Sequence, residues 1–268
     1  MPKSKSTGPV LWNVDARGVA TVTLNRPEVN NAYNGAMIDG LLAALDALST
    51  ETDLRVVVLN GNGKHFQAGA DLKWIDSVRR SSHDDNIRAS RATAEAVQRL
   101  NFAPVPTVAL VHGGCFGGGT GIVAACDVVL AADNAMFSIA EARWGLTPAI
   151  IIPQLADAIG VRQLRRYALT GERFHAEEAC RIGLVHKVVP QSDLQIEGAR
   201  IVELLLSNGP DAIAETKAWA LRSAWSDLED ADFAALIESH SAKRQTAEAK
   251  EGLASFAEKR AAKWPRKG

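Results

Sequence analysis

The run His112-Gly113-Gly114-Cys115-Phe116-Gly117-Gly118-Gly119-Thr120-Gly121 concentrates backbone N–H groups with almost no side-chain cover, between a strand-like apolar segment and a helix-like one. A strand that turns through glycines into a helix leaves the first helical N–H groups unpaired, where the helix dipole favours negative charge. Such a turn can hold a phosphate, or an oxyanion that develops during a reaction. Glycines also let two backbones approach closely, so on the glycines alone both readings stay open.

Two phosphate loops fail on spacing. A P-loop needs Gly-Lys-Ser/Thr, yet Gly119 is followed by Thr120 and Gly121, which leaves no lysine to reach a nucleotide phosphate. A dinucleotide fingerprint belongs on the first strand of its unit, with an acidic residue ending the second, and this run lies far into the chain.

A second turn lies upstream, Gly61-Asn62-Gly63-Lys64-His65-Phe66-Gln67-Ala68-Gly69-Ala70-Asp71-Leu72-Lys73, after the buried-strand signal Val56-Val57-Val58-Leu59. Ala68, Gly69 and Ala70 are small enough to let a ligand approach the backbone, and Asp71 can cap the next segment by accepting from its N–H groups. Two such turns suggest two N–H donors converging on one carbonyl oxygen.

These segments, with several others, resemble the enoyl-CoA hydratase/isomerase (crotonase) superfamily over nearly the full length. Leu24-Asn25-Arg26-Pro27 with Asn31-Ala32 is similar to its N-terminal signature, and Ala68 to Lys73 to its first oxyanion-hole loop. Gly117-Gly118-Gly119 followed by Ala125-Cys126-Asp127 resembles its second. Ala135-Met136-Phe137-Ser138 leading to Glu141 also fits, as do Leu169-Thr170-Gly171-Glu172, Ala176-Glu177-Glu178-Ala179, Gly183-Leu184-Val185 and Phe256-Ala257-Glu258-Lys259-Arg260.

The resemblance implies an α/β fold, a crotonase-like spiral of repeated ββα units with a C-terminal helical region. Residues 1–191 would form the acyl-CoA-binding core, and residues 192–268 would pack against neighbouring subunits as a homotrimer or a dimer of trimers, with a helical cap folded over the chain's own core as the alternative. The implied chemistry is activation of an acyl-CoA thioester, with the N–H groups of Ala70 and Gly118 holding the thioester oxygen as enolate charge builds. Loss of one such donor typically costs about 100- to 1,000-fold in rate. The coenzyme enters as part of the substrate, so no separate cofactor and no metal is implied. It would lie across Arg26, the segment Ala68, Ala70, Asp71, Leu72 and Lys73, and Lys259 of an adjacent chain. Each of these basic residues, taken alone, reads as an ordinary solvated charge.

Glu141 is the residue the resemblance assigns to proton transfer. It follows a strand-like segment and precedes Gly145-Leu146-Thr147-Pro148, so a turn could project it into an apolar pocket. Burial there raises a carboxyl pKa toward the range useful for acid-base work. Without the resemblance, a surface glutamate pairing with Arg143 is the simpler reading.

One position departs from the pattern. Two-glutamate hydratases of the superfamily carry a glutamate where this chain has Gly121, so the resemblance sets Gly121, like Pro148, among the substrate-binding positions, but their two-carboxylate mechanism does not carry over. The stretch Pro148-Ala149-Ile150-Ile151-Ile152-Pro153 stands where many have a glycine-rich turn, which implies a stiffer, more apolar wall at Pro148. The favoured implied activity is a single-glutamate hydratase similar to bacterial methylglutaconyl- and isohexenylglutaconyl-CoA hydratases. A Δ3,Δ2-enoyl-CoA isomerase, which needs one positioned carboxylate, is the alternative. A non-catalytic acyl-CoA-binding paralogue is a third reading, disfavoured by Glu141 and the two turns.

The elements that must position these groups alternate along the chain. Val19 to Leu24 alternates as a half-buried strand; Met37, Leu41, Leu42, Leu45 and Leu48 mark one helix face; Val56 to Leu59 and Thr107 to Val111 read as buried strands. Arg79 to Asp85 reads as a mobile loop before a helix from about Ile87 to Leu100. After Pro190 strand signals vanish, and two helices are expected to break at Asn208-Gly209-Pro210, with Phe233, Leu236 and Ile237 among the apolar residues that need a partner surface. Composition is compatible: 268 residues, 47% hydrophobic, net charge −1, with no basic surface for nucleic acid and no span for a membrane. Three cysteines without metal spacing suit a reducing compartment, and a cytoplasmic protein is expected.

Overall fold

Apolar runs rich in β-branched residues supply the strands of a seven-stranded sheet. The strands are β1 (Ser4–Lys5), β2 (Val10–Val14), β3 (Val19–Leu24), β4 (Val56–Gly61), β5 (Thr107–Val111), β7 (Val128–Ala132) and β10 (Lys187–Val189), in that spatial order. The first three pair antiparallel and the rest parallel. A second sheet joins β6 (Gly114–Phe116), β8 (Met136–Ser138) and β9 (Phe174–His175). The computed structural model describes residues 4–225, 247, 251, 254–255 and 258–264. Phe233, Leu236, Ile237 and the Phe256-Ala257 pair of the closing motif lie outside them.

Two successive turns of the chain place their first strand in the large sheet and their second in the small one, β5 then β6 and β7 then β8. The large-sheet register sets Val108 beside Val128, and the small-sheet register sets Cys115 beside Phe137. Helices α1 (Gly35–Ser49), α2 (Leu72–Arg79), α3 (His83–Asn101) and α4 (Gly118–Ala124) follow the strands, then α5 (Ile152–Thr170, broken at Gly160) and α6 (Ala176–Ile182). This is the expected ββα spiral.

The period-2 alternation of β4 shows why it is buried on both faces. Val57 and Leu59 enter the core shared with Leu24, Phe66 and Phe137, whereas Val56 and Val58 enter the opposite core with Val108 and Leu130. That second core is closed by Leu194 and Val202 of α7 (Leu194–Leu206). The stretch beginning at 192 therefore starts as a cover for the chain's own sheet. After the break at Asn208-Gly209, α8 (Pro210–Trp225) docks through Lys217, whose Nζ lies 2.7 Å from Asp127 Oδ2 and donates to the Val105 carbonyl at 3.2 Å.

One expectation is corrected. Arg79 to Asp85 is not a loop throughout, and the next helix does not wait for Ile87: α2 runs through Arg79, and α3 already begins at His83. Ser82 caps α3 by accepting from the Asp85 N–H at 3.1 Å, and Asp84 and Asp85 complement the positive end of the helix. Charge density in that stretch reflects a solvated helix start.

Candidate active site

The two small-residue turns are zipped together by backbone pairing. Gln67 forms a parallel bridge with Cys115: its N–H donates to the Gly114 carbonyl at 3.0 Å, and its carbonyl accepts from the Phe116 N–H at 2.9 Å. Three residues on, Ala70 bridges Tyr33, whose N–H donates to the Gly69 carbonyl at 2.9 Å and whose carbonyl accepts from the Asp71 N–H at 2.8 Å. Such a parallel bridge uses the residues flanking Ala70 and leaves Ala70's own N–H directed to the other side. The fully buried Gln67 side chain accepts from the Gly69 N–H at 2.9 Å, and its Oε1 sits 2.5 Å from where a Cβ on Gly119 would stand. Gln67 thus sets the spacing of both turns.

The downstream turn depends on Gly117. Its φ of +52° and ψ of −123° are open to glycine, and its N–H donates to the Ser138 carbonyl at 2.8 Å. This sharp reversal makes Gly118 the first residue of α4, with no preceding helical carbonyl to bond. Among the described residues, neither the Ala70 nor the Gly118 N–H has a hydrogen-bond partner. Ala70 and Gly118 both line a cavity of about 590 Å³.

Glu141 opens a short 3-10 turn, Glu141–Trp144, directly after β8. Its Oε1 lies 3.0 Å from the Cβ position on Gly117, so any larger residue at 117 would meet the carboxylate. Oε2 is buried without a hydrogen-bond partner. Burial pushes the Glu141 pKa up, opposed in part by a backbone hydrogen bond. No ion pair with Arg143 forms among the described residues; the Arg143 side chain instead packs near Gly171. Of the described residues lining the cavity, Glu141 is the one carboxylate, and the remaining walls are mainly apolar: Met37, Leu41, Ile75, Val97, Ile122 and Ile150.

Other sequence-derived residues divide between the cavity and its supports. Ala68, Leu72 and Pro148 line the cavity with Ala70 and Gly118. Arg26 and Asp71 stand behind the first turn. Arg26 donates to the Ala32 carbonyl and lies 3.4 Å from Asp71 Oδ2, while Asp71 caps α2 by accepting from the Lys73 N–H at 3.1 Å. Lys73 and Lys259 are exposed and line no part of this chain's cavity. Gly121 is corrected: it does not line the cavity, because Ile151 sits on it. A Cβ built there would lie 2.5 Å from Ile151 Cβ and nearer still to Cγ2.

Three residues have roles that the sequence reading does not assign. Gln67 is the clamp between the turns. Asn31, fully buried at φ +56°, donates through Nδ2 to the Asn62 and His65 carbonyls, both at 2.8 Å, and accepts from the Arg26 N–H at 2.7 Å. Tyr33 lines the cavity beside Gly118, and burial together with the nearby Glu141 charge pushes its pKa up to about 12. Asn31 carried a signal, the Asn-Asn pair after the proline turn, since asparagine tolerates the left-handed region.

The chain matches the family model described as enoyl-CoA hydratase/isomerase over residues 15–267. It is 32% identical to a trans-2-decenoyl-[acyl-carrier-protein] isomerase of Streptococcus mutans, over 95% of this chain and 97% of that protein. Among solved structures it superposes on an enoyl-CoA hydratase from Shewanella pealeana with a TM-score of 0.91 at 30% identity, covering 97% of each chain. Pseudomonas aeruginosa AtuE gives 0.90 at 35% identity, covering 95% of this chain and 98% of that one.

Proposed function

Because this chain belongs to the enoyl-CoA hydratase/isomerase family, we propose that it is a hydro-lyase that adds water across the C2=C3 bond of an enoyl-CoA thioester. The observation that carries this reading is the placement of Glu141, the one carboxylate among the described cavity residues, over the turn that presents the Gly118 N–H.

The water oxygen bonds to C3 while its proton passes to Glu141. The π pair moves to the thioester oxygen, where the Ala70 and Gly118 N–H groups hold it as an enolate. Glu141 returns a proton to C2 and the carbonyl re-forms. One carboxylate completes the cycle, and a raised pKa brings its proton affinity nearer to neutral pH in both directions. The apolar walls exclude bulk water and strengthen the two N–H contacts.

A glutaconyl-type acyl group is the finer substrate assignment. Its support is Arg79, the one cation among the described cavity residues, with Asn86 and Ser90 of α3 lining the same cavity. Assembly as a homotrimer or dimer of trimers accompanies this reading. Isomerisation of a 3-enoyl-CoA is the second reading, favoured by Ile151 filling the space beside Gly121 where another carboxylate would need to stand.

Purified protein incubated with crotonyl-CoA, 3-methylglutaconyl-CoA and a 3-enoyl-CoA separates these. Loss of the enoyl-thioester absorbance with either 2-enoyl substrate is expected. Double-bond migration alone would favour the isomerase, and no reaction with any of the three would contradict both.

A further inference from the structure

Two polar groups flank the same turn, and among the described residues no side-chain hydrogen bond joins them to each other or to a third residue. One is the Glu141 carboxylate, whose Oε1 lies 3.0 Å from the Cβ position on Gly117 and whose Oε2 is buried and unpartnered. The other is the Tyr33 hydroxyl, 3.4 Å from the Cβ position on the next residue, Gly118. Adjacent Cα atoms are ~3.8 Å apart, so the two groups stand over one short patch of backbone. A buried carboxylate oxygen without a partner, as Glu141 Oε2 is, marks a place where a water or a substrate group completes the bonding.

Tyr33 is also held unusually firmly. Its backbone N–H and carbonyl both bond the Ala70 turn, at 2.9 and 2.8 Å, and its ring meets Trp74 edge-on at 5.7 Å. The hydroxyl therefore moves with the first oxyanion turn. Its acidity is suppressed, which keeps it a proton donor throughout the working pH range.

We infer that the Tyr33 hydroxyl is the second polar group of the water site, holding the attacking water against the Glu141 carboxylate. This rests on the hydratase reading. A water at this point donates one proton to Glu141 and accepts the Tyr33 O–H, which leaves its other lone pair for C3. Tyr33 transfers no proton and forms no bond. Gly121 has no part in the site, because Ile151 occupies the space beside it. The role that a second carboxylate would fill on α4 is supplied from the segment between β3 and α1.

The test is Tyr33→Phe in the full chain, which retains the ring and its contact with Trp74. Two rates are compared: hydration of the best 2-enoyl-CoA of the panel, and exchange of the C2 protons of hexanoyl-CoA with deuterium oxide. Exchange needs the oxyanion turns and Glu141 but no attacking water. Hydration is expected to fall about 100-fold, as for a misplaced reactant, with exchange held within about twofold. Unchanged hydration would overturn the role of Tyr33 while leaving the hydratase reading intact. An equal fall in both rates would overturn it as well, by showing that the phenol supports the turn or the enolate. Wild-type protein that exchanges C2 protons yet hydrates no enoyl-CoA would overturn the hydratase reading itself, and the water site with it.

Discussion

Ile151 packs directly on Gly121: it is 2% exposed, and a Cβ at 121 would stand 2.5 Å from its own Cβ. Alanine is the better helix former by roughly 0.5–1 kcal/mol, so on propensity alone Gly121→Ala should stabilise α4. Overpacking against Ile151 reverses the sign, and a net loss of about 1–3 kcal/mol is expected in urea unfolding. Ile151→Ala in the same chain should recover part of that loss. Gly121→Glu, lacking the room, should unfold at lower temperature and gain no activity.

Sequence and structure agree where chemistry and local geometry coincide. Ala70 and Gly118 were legible because each sits on a small-residue turn after a strand, and the helix beginning at Gly118 needs that turn. Glu141 was legible only through the family pattern around it, since a lone glutamate beside an arginine reads equally well as a surface pair. Tyr33 was hidden because what matters about it is a backbone pairing with Ala70, far away in sequence. Gly121 was misread for a related reason. The resemblance sets this glycine among the substrate-binding positions, and only the packing of the Pro148 to Pro153 stretch shows that Ile151 covers it. The α3 start was lost to composition, because Ser82 and two aspartates spell both a loop and a helix cap.

Asn31→Ala removes the donors to two part-buried carbonyls and the acceptor for the Arg26 N–H, and puts alanine at φ +56°. Each such hydrogen bond contributes about 0.5–1.5 kcal/mol net, so with three of them gone a loss of about 3 kcal/mol is expected by chemical denaturation. Asn31→Gly tolerates the dihedral but lacks the bonds, and should recover only a minor part. Full recovery with glycine would show that the backbone conformation, not the hydrogen bonds, governs this turn.

Arg79 is paired with Asp76 at 2.8 Å and is largely exposed, so its pull on a substrate carboxylate is a modest one. An exposed ion pair contributes up to about 1 kcal/mol. Arg79→Met should raise KM for 3-methylglutaconyl-CoA by about fivefold, the equivalent of that energy, and leave KM for crotonyl-CoA unchanged. Equal effects on both substrates would remove Arg79 from acyl recognition.

Burial holds the Glu141 carboxyl above the ordinary carboxylate range. The folded state then binds this proton more tightly than the unfolded chain does. The stability it contributes is complete below the unfolded pKa, about 4.3, and is lost as pH rises through the higher folded value. Glutamine carries no such charge, so Glu141→Gln should gain thermal stability relative to wild type as pH rises through that window. A Tm difference that does not change with pH would show that ionised Glu141 is not under burial stress.

The central claim is that Glu141 carries the proton to and from C2 of an enolate held by Ala70 and Gly118. Deuterium exchange at C2 of hexanoyl-CoA, compared between wild type and Glu141→Gln, tests it most directly. A fall of about 10²–10⁴-fold, with acyl-CoA binding within about twofold of wild type, is the predicted result. Exchange at the wild-type rate in the glutamine variant would contradict it.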